Sequence, residues 1–163
     1  MIRAATLKDS KAISEIYNYF ITDTVITFEE QTITANDIAQ RIEVTYIDKL
    51  PWLVKLDKHN TIIGYAYANK WRFHSAFRFT VEATVYLTKN FQGQGLGSQL
   101  YQALFEQLKQ LSIHEVIGVI TLPNEQSIAL HEKFGMKKVA HFEKVGLKFS
   151  QWHDVGFWQV SIQ

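Results

Sequence analysis

The stretch from Thr80 to Gly97 limits what this chain can become more than any other. Thr80-Val81-Glu82-Ala83-Thr84-Val85-Tyr86-Leu87 is rich in β-branched and aromatic residues and reads as a strand. Gln92-Gly93-Gln94-Gly95-Leu96-Gly97 follows almost at once. Leu100, Leu104, Leu108 and Leu111 then mark a helix. A strand that turns through glycines into a helix gathers free N–H groups and the positive end of a helix dipole at one point. Glycine also lets the backbone take positive φ and approach a ligand closely. The local physics is that of a phosphate site. A glycine-rich turn with no ligand is the plain alternative. Two nucleotide motifs fail in detail. Gly93 and Gly95 fit a dinucleotide fingerprint, but its third glycine falls on Ser98. Gly97 is followed by Ser98 with no lysine, so a Walker-type loop fails as well.

The rest of the chain reads as alternating elements. Residues 2–5 suit a short strand. Thr6 with Asp9, and Thr34 with Asp37, look like capped helix starts. Ile13, Ile16, Tyr17 and Phe20 predict a helix near 9–20, and Ile38 and Ile42 mark a second. Residues 52–56 and 61–67 form a predicted hairpin about the turn Asp57-Lys58-His59-Asn60. Val116 to Thr121 is an apolar strand ending at Pro123, and Asn124 can cap a helix stopped by Gly135. Strand-like runs near 137–146 and 153–161 finish the chain. The order predicts a mixed α/β fold around one sheet, with one domain over residues 1–163.

The chain has 163 residues, of which 47% are apolar and 20% charged, so it can bury a core without staples. A net charge of +1 with no basic run gives no footprint for nucleic acid. With no cysteine there is no cysteine nucleophile, disulfide or thiolate metal site, and a cytoplasmic location fits. No signal-like stretch opens the chain, and no segment approaches the roughly 20 apolar residues of a membrane span.

Gln92-x-x-Gly95-x-Gly97 after Val85-Tyr86-Leu87 resembles the acetyl-CoA motif of the GCN5-related N-acetyltransferases. Asn124-x-x-Ser127-x-x-Leu130-His131-x-x-x-Gly135-Met136 is similar to that superfamily's later strand–helix segment. Pro51-Trp52-Leu53-Val54, Thr80 to Tyr86, Leu130-His131-Glu132 and Trp152-His153-Asp154-Val155-Gly156-Phe157-Trp158 look like its phosphinothricin N-acetyltransferase branch. The resemblance runs from about residue 2 to the C-terminus. It implies the GNAT fold: a central mixed twisted sheet flanked by helices, with splayed strands opening an acetyl-CoA cleft. It implies Val85, Tyr86 and Leu87 along the pantetheine arm, and Gln92, Gly93, Gln94, Gly95, Leu96, Gly97 and Ser98 around the pyrophosphate. Asn124 and Ser127 would touch the distal part of the arm. The acceptor would be a small amino-acid-like amine such as phosphinothricin, methionine sulfoximine or methionine sulfone. A homodimer is expected, and the transfer needs no metal.

An amine must lose a proton to attack a thioester, so a base is required. Glu82 is the candidate base, acting through water. On a strand it shares a face with Thr84 and Tyr86, while Val81, Ala83, Val85 and Leu87 share the other. The alternative is a glutamate paired with an arginine. His131 stands where much of the superfamily has a tyrosine, and is either the acid for the leaving thiolate or a contact for the cofactor. Arg72 is the candidate for the acceptor carboxylate, with Arg78 in support or merely solvated. Trp71 and Phe28 would line the pocket, and Glu29 would receive the acceptor ammonium. Three other readings stay open: a polyamine or protein N-terminus as acceptor, a non-catalytic acyl-CoA sensor, and a plain nucleotide-binding module.

Overall fold

The computed structural model describes residues 1–163. Its strands are β1 (Ile2–Ala4), β2 (Trp52–Leu56), β3 (Ile62–Lys70), β4 (Thr80–Leu87), β5 (Glu115–Leu122), β6 (Lys137–Lys148) and β7 (Gln151–Ser161). Its helices are α1 (Ser10–Asp23), α2 (Ala35–Ile47), α3 (Leu96–Gln110) and α4 (Glu125–Lys133). The seven strands form one sheet in the order β1-β2-β3-β4-β5-β7-β6. Only β4 and β5 run parallel.

Local chemistry sets several of these boundaries. Thr34 Oγ1 accepts from Asp37 N–H at 3.2 Å, and Thr34 N–H donates to Asp37 Oδ2 at 2.7 Å, so the expected cap opens α2. The Asp57 carboxylate accepts from the N–H groups of His59 and Thr61 at 2.8 and 2.9 Å. That closes the β2–β3 turn without help from the strands. Asn124 Oδ1 accepts from Ser127 N–H at 3.0 Å and starts α4. Gly135, with φ of 77°, ends that turn.

Each face of the sheet carries its own core. Leu100, Tyr101, Leu104, Phe105 and Leu108 of α3 pack on Ala66, Ala68, Val81 and Ala83. Ile13, Ile16, Tyr17 and Phe20 of α1, with Ile38 and Ile42 of α2, pack on Trp52, Val54, Tyr65 and Tyr86. The alternation predicted for β4 is therefore the one observed. Register opposes Tyr65 to Tyr86, Tyr67 to Thr84 and Asn69 to Glu82, all on the α1–α2 side. Fully burying each of these large apolar side chains stabilises the fold by roughly 1.5–3 kcal/mol.

Parallel pairing between β4 and β5 covers only Thr80–Glu82 against Glu115–Ile117. Beyond Glu82 the two strands part. Trp71 N–H donates to Thr80 O and Thr88 N–H to Ile63 O, so the even-numbered residues of β4 face β3. The odd-numbered N–H groups face β5: that of Ala83 belongs to the last parallel pair, and those of Val85 and Leu87 face the gap.

Candidate active site

The gap widens into a cleft of about 320 Å³. Its walls are β4 (Val85, Tyr86, Leu87), the glycine loop (Gln92, Gly93, Gly95, Leu96, Gly97, Ser98) and α4 (Asn124, Ser127). The sequence also pointed to Gln94, which lies outside the lining; its side chain donates to Asn90 O at 3.0 Å. Gln92 donates to Leu87 O at 3.3 Å and ties the loop to the end of β4. Gly93 and Gly95 hold φ of 72° and 76°, which L side chains rarely adopt, and a Cβ on either would meet nothing within 4 Å. Conformation, not crowding, therefore demands glycine there. Gly95 directly precedes α3, so the loop presents the free N–H groups of that helix.

Residues the sequence reading missed complete the wall. Phe20 and Ile26 enter from α1 and the segment after it, and Gln126, Ala129, Leu130 and Lys133 from α4. Lys133 donates to Ser98 Oγ at 3.2 Å, which places an ammonium at the loop. No sequence signal placed Ile26 in the wall of this cleft.

Glu82 is half-buried at the point where β4 and β5 part. Burial pushes its carboxyl above the ordinary range, and the charge of Arg72 pulls it partly back. Arg72 is exposed, lies over the Trp71 ring at 4.3 Å and donates to Trp71 O at 3.0 Å. The Trp71 ring meets Phe77 edge-on at 5.3 Å, and its indole N–H is buried without a partner. Arg78 is turned to its own segment, donating to Ser75 O at 3.1 Å and stacking on Phe79 at 4.4 Å.

Two expectations meet a different geometry. Glu29 was to receive an ammonium, but its carboxylate already accepts from Arg41 at 2.7 and 2.9 Å and from the Tyr17 hydroxyl at 2.9 Å. Its charge is neutralised within the protein, and Arg41 holds its carboxyl below the ordinary range despite burial. Phe28 packs instead against Gly146 of β6, where a Cβ would come within 2.3 Å of its ring.

His131 is expected either as the acid for the leaving thiolate or as a contact for the cofactor. It is 4% exposed and forms no part of the cleft wall. Its Nδ1 donates to Ser127 O at 2.7 Å, and its Nε2 lies 3.0 Å from the Tyr101 hydroxyl. Burial pulls its pKa below the usual histidine value, so the ring is neutral near pH 7. A neutral imidazole with both nitrogens bonded has no proton to spare for the cleft.

This fold and loop belong to a known family. The chain matches the acetyltransferase (GNAT) family over residues 13–136. It is 37% identical to a phosphinothricin N-acetyltransferase of Streptomyces viridochromogenes, covering 97% of this chain and 85% of the relative. It is 32% identical to an L-methionine sulfoximine/L-methionine sulfone acetyltransferase of Salmonella typhimurium, covering 99% and 94%. The solved structure of a phosphinothricin acetyltransferase from Sinorhizobium meliloti, in complex with AcCoA, superposes with a TM-score of 0.96 at 32% identity, covering 99% of this chain and 87% of that one. The chain therefore belongs to the GNAT family and is an acetyl-CoA-dependent N-acetyltransferase of the phosphinothricin and methionine sulfoximine branch.

A Gly95→Ala variant should show what the loop contributes. Its native φ of 76° would be held by a residue with a Cβ, which costs about 1–2 kcal/mol. Acetyl-CoA affinity should fall roughly tenfold, read by calorimetric titration. Unaltered affinity would show that the backbone here does not hold the ligand.

Proposed function

We propose that residues 1–163 act as one domain that moves acetyl from acetyl-CoA to the α-amine of a small amino-acid-like acceptor, in a ternary complex. The acceptor is of the methionine sulfoximine, methionine sulfone or phosphinothricin type. The observation that carries this is Glu82, half-buried where the strands part, with a raised pKa and the charge of Arg72 beside it. A carboxyl tuned upward takes a proton at neutral pH more readily than an ordinary one. Glu82 accepts the proton of the acceptor ammonium through water. Arg72 takes the acceptor carboxylate with its planar fork.

The cleft residues fit the cosubstrate. The gap-facing Val85 carbonyl and Leu87 N–H pair with the pantetheine arm as an added strand would. The loop N–H groups from Gly93 to Ser98 hold the pyrophosphate, with Lys133 beside them. The Val85 N–H serves the oxyanion that forms as the amine attacks. Acetyl-CoA supplies the activated acyl group.

A panel of phosphinothricin, methionine sulfoximine, methionine sulfone, glutamate and spermidine, read by free thiol release, tests the acceptor class. The sulfoximine and sulfone should turn over fastest. Turnover of spermidine alone would move the acceptor to the polyamines.

The same reading includes a cytoplasmic homodimer. Val139, Phe142, Val145, Leu147, Phe149 and Trp152 are exposed on the β6–β7 hairpin at one edge of the sheet, and a second copy would cover them. Sedimentation should return twice the chain mass, and the mass of one chain would contradict the dimer.

A further inference from the structure

The β4–β5 gap has something at its apex. Ala83 and Gly118 are the first residues past the last parallel pair, Glu82 with Ile117. The Ala83 carbonyl faces the gap and has lost β5 as a donor. Tyr101 reaches it from α3, its hydroxyl 3.2 Å away. His131 reaches Gly118 from α4, and lies so close that a Cβ on Gly118 would stand 2.3 Å from its Cδ2 and 2.4 Å from its Nε2. The two side chains meet at 3.0 Å between hydroxyl and Nε2, with their rings edge-on at 5.3 Å. The Tyr101–His131 pair thus connects Ala83, which the hydroxyl reaches, to Gly118, on which the imidazole packs, the first residues of β4 and β5 no longer paired with each other.

The proton positions follow from the partners. Ser127 O can only accept, so Nδ1 carries the hydrogen. In the neutral ring Nε2 is then an acceptor, and the single hydrogen of the Tyr101 hydroxyl is shared between Nε2 at 3.0 Å and the Ala83 carbonyl at 3.2 Å as a three-centre bond. Tyr101 is wholly buried, and burial raises its pKa, so the phenol keeps its proton. The cleft wall begins immediately beyond, at Val85 on β4 and Ser127 on α4.

We propose that the Tyr101–His131 hydrogen bond is the wedge that keeps β4 and β5 apart at the deep end of the acetyl-CoA cleft, with Tyr101 as a positioning residue. Ser127 O fixes the His131 tautomer, the Tyr101 hydroxyl holds the ring in place through Nε2, and the held ring fills the place a Cβ would take on Gly118. Ser127, on whose carbonyl the ring is anchored, is thereby set at the cleft wall. This rests on the reading that the cleft takes acetyl-CoA.

Tyr101→Phe removes the hydroxyl and keeps the ring against Phe105 and Phe134. The expected result is an acetyl-CoA Kd about tenfold weaker by calorimetry, from one lost buried hydrogen bond. The KM for acetyl-CoA should rise with it, while the KM for methionine sulfone at saturating acetyl-CoA does not. Nitrogen NMR of the wild type should show His131 with its hydrogen on Nδ1, and in the variant the Nε2 signal should move as that atom loses its donor. Gly118→Ala should weaken acetyl-CoA binding at least as much, and should add no loss in a His131→Ala background, where the ring no longer meets the new Cβ. A folded Tyr101→Phe with wild-type affinity and an unmoved Nε2 signal would overturn the wedge. So would a Gly118→Ala cost equal in both backgrounds. A wild type that does not bind acetyl-CoA would instead overturn the reading of the cleft, and the wedge with it.

Discussion

Glu82→Gln should lower kcat by about 10²- to 10⁴-fold, the usual range for losing a general base. Acetyl-CoA affinity should not change, because Glu82 lies on the α1–α2 side of β4, outside the cleft lining. The pH profile gives a second reading. The base works only when ionised, and burial holds its pKa above the ordinary carboxylate range. The wild-type rate should therefore rise through that elevated pKa, and the acid limb should vanish in the variant. Stability moves the other way. A carboxyl whose pKa is higher folded than unfolded makes the native state bind more protons, so stability falls as pH rises through the window between the two values. Above that window the wild type carries the full cost, and glutamine carries none. Glu82→Gln should melt higher than wild type at neutral pH, and the gain should disappear below the unfolded glutamate pKa. A variant that loses stability and keeps its rate would make Glu82 a structural residue.

Arg72→Ala should raise the KM for a carboxylate-bearing acceptor by roughly 10- to 100-fold, with kcat at saturation largely kept. A hydrogen bond to a charged group contributes about 1.5–3 kcal/mol, and uniform binding energy appears in KM. The same substitution removes the charge that pulls the Glu82 pKa down. The acid limb should shift to higher pH, which a plain loss of binding would not produce. Arg72→Lys should restore little, since a point charge does not reproduce the planar fork. A fall in kcat with KM unmoved would remove Arg72 from carboxylate binding.

Much of the scaffold was legible because it follows from local rules. The alternation of Glu82, Thr84 and Tyr86 against Val81, Ala83 and Val85 needed only the period of a strand. The caps at Thr34 and Asn124 needed only a hydroxyl or an amide before an apolar stripe. Strand order was less legible. The insertion of β7 between β5 and β6 is a long-range pairing with no local mark. The site separates in the same way. The wall residues on β4, the loop and α4 lie near one another in sequence, while Ile26 enters from a loop whose path depends on distant packing. Glu29 looked free because its partner, Arg41, belongs to a helix whose docking no pattern could set. His131 stood at the right place on α4, but its depth was invisible. Gly118 was the available clue, since a glycine inside an apolar strand marks a close approach.

Mass spectrometry of methionine sulfone incubated with the wild-type protein and acetyl-CoA reaches the central claim most directly. The expected product carries one acetyl group on its α-nitrogen, formed in step with free thiol and lost in Glu82→Gln. Acetyl-CoA that binds tightly while methionine sulfone, methionine sulfoximine and phosphinothricin all stay unmodified would contradict it.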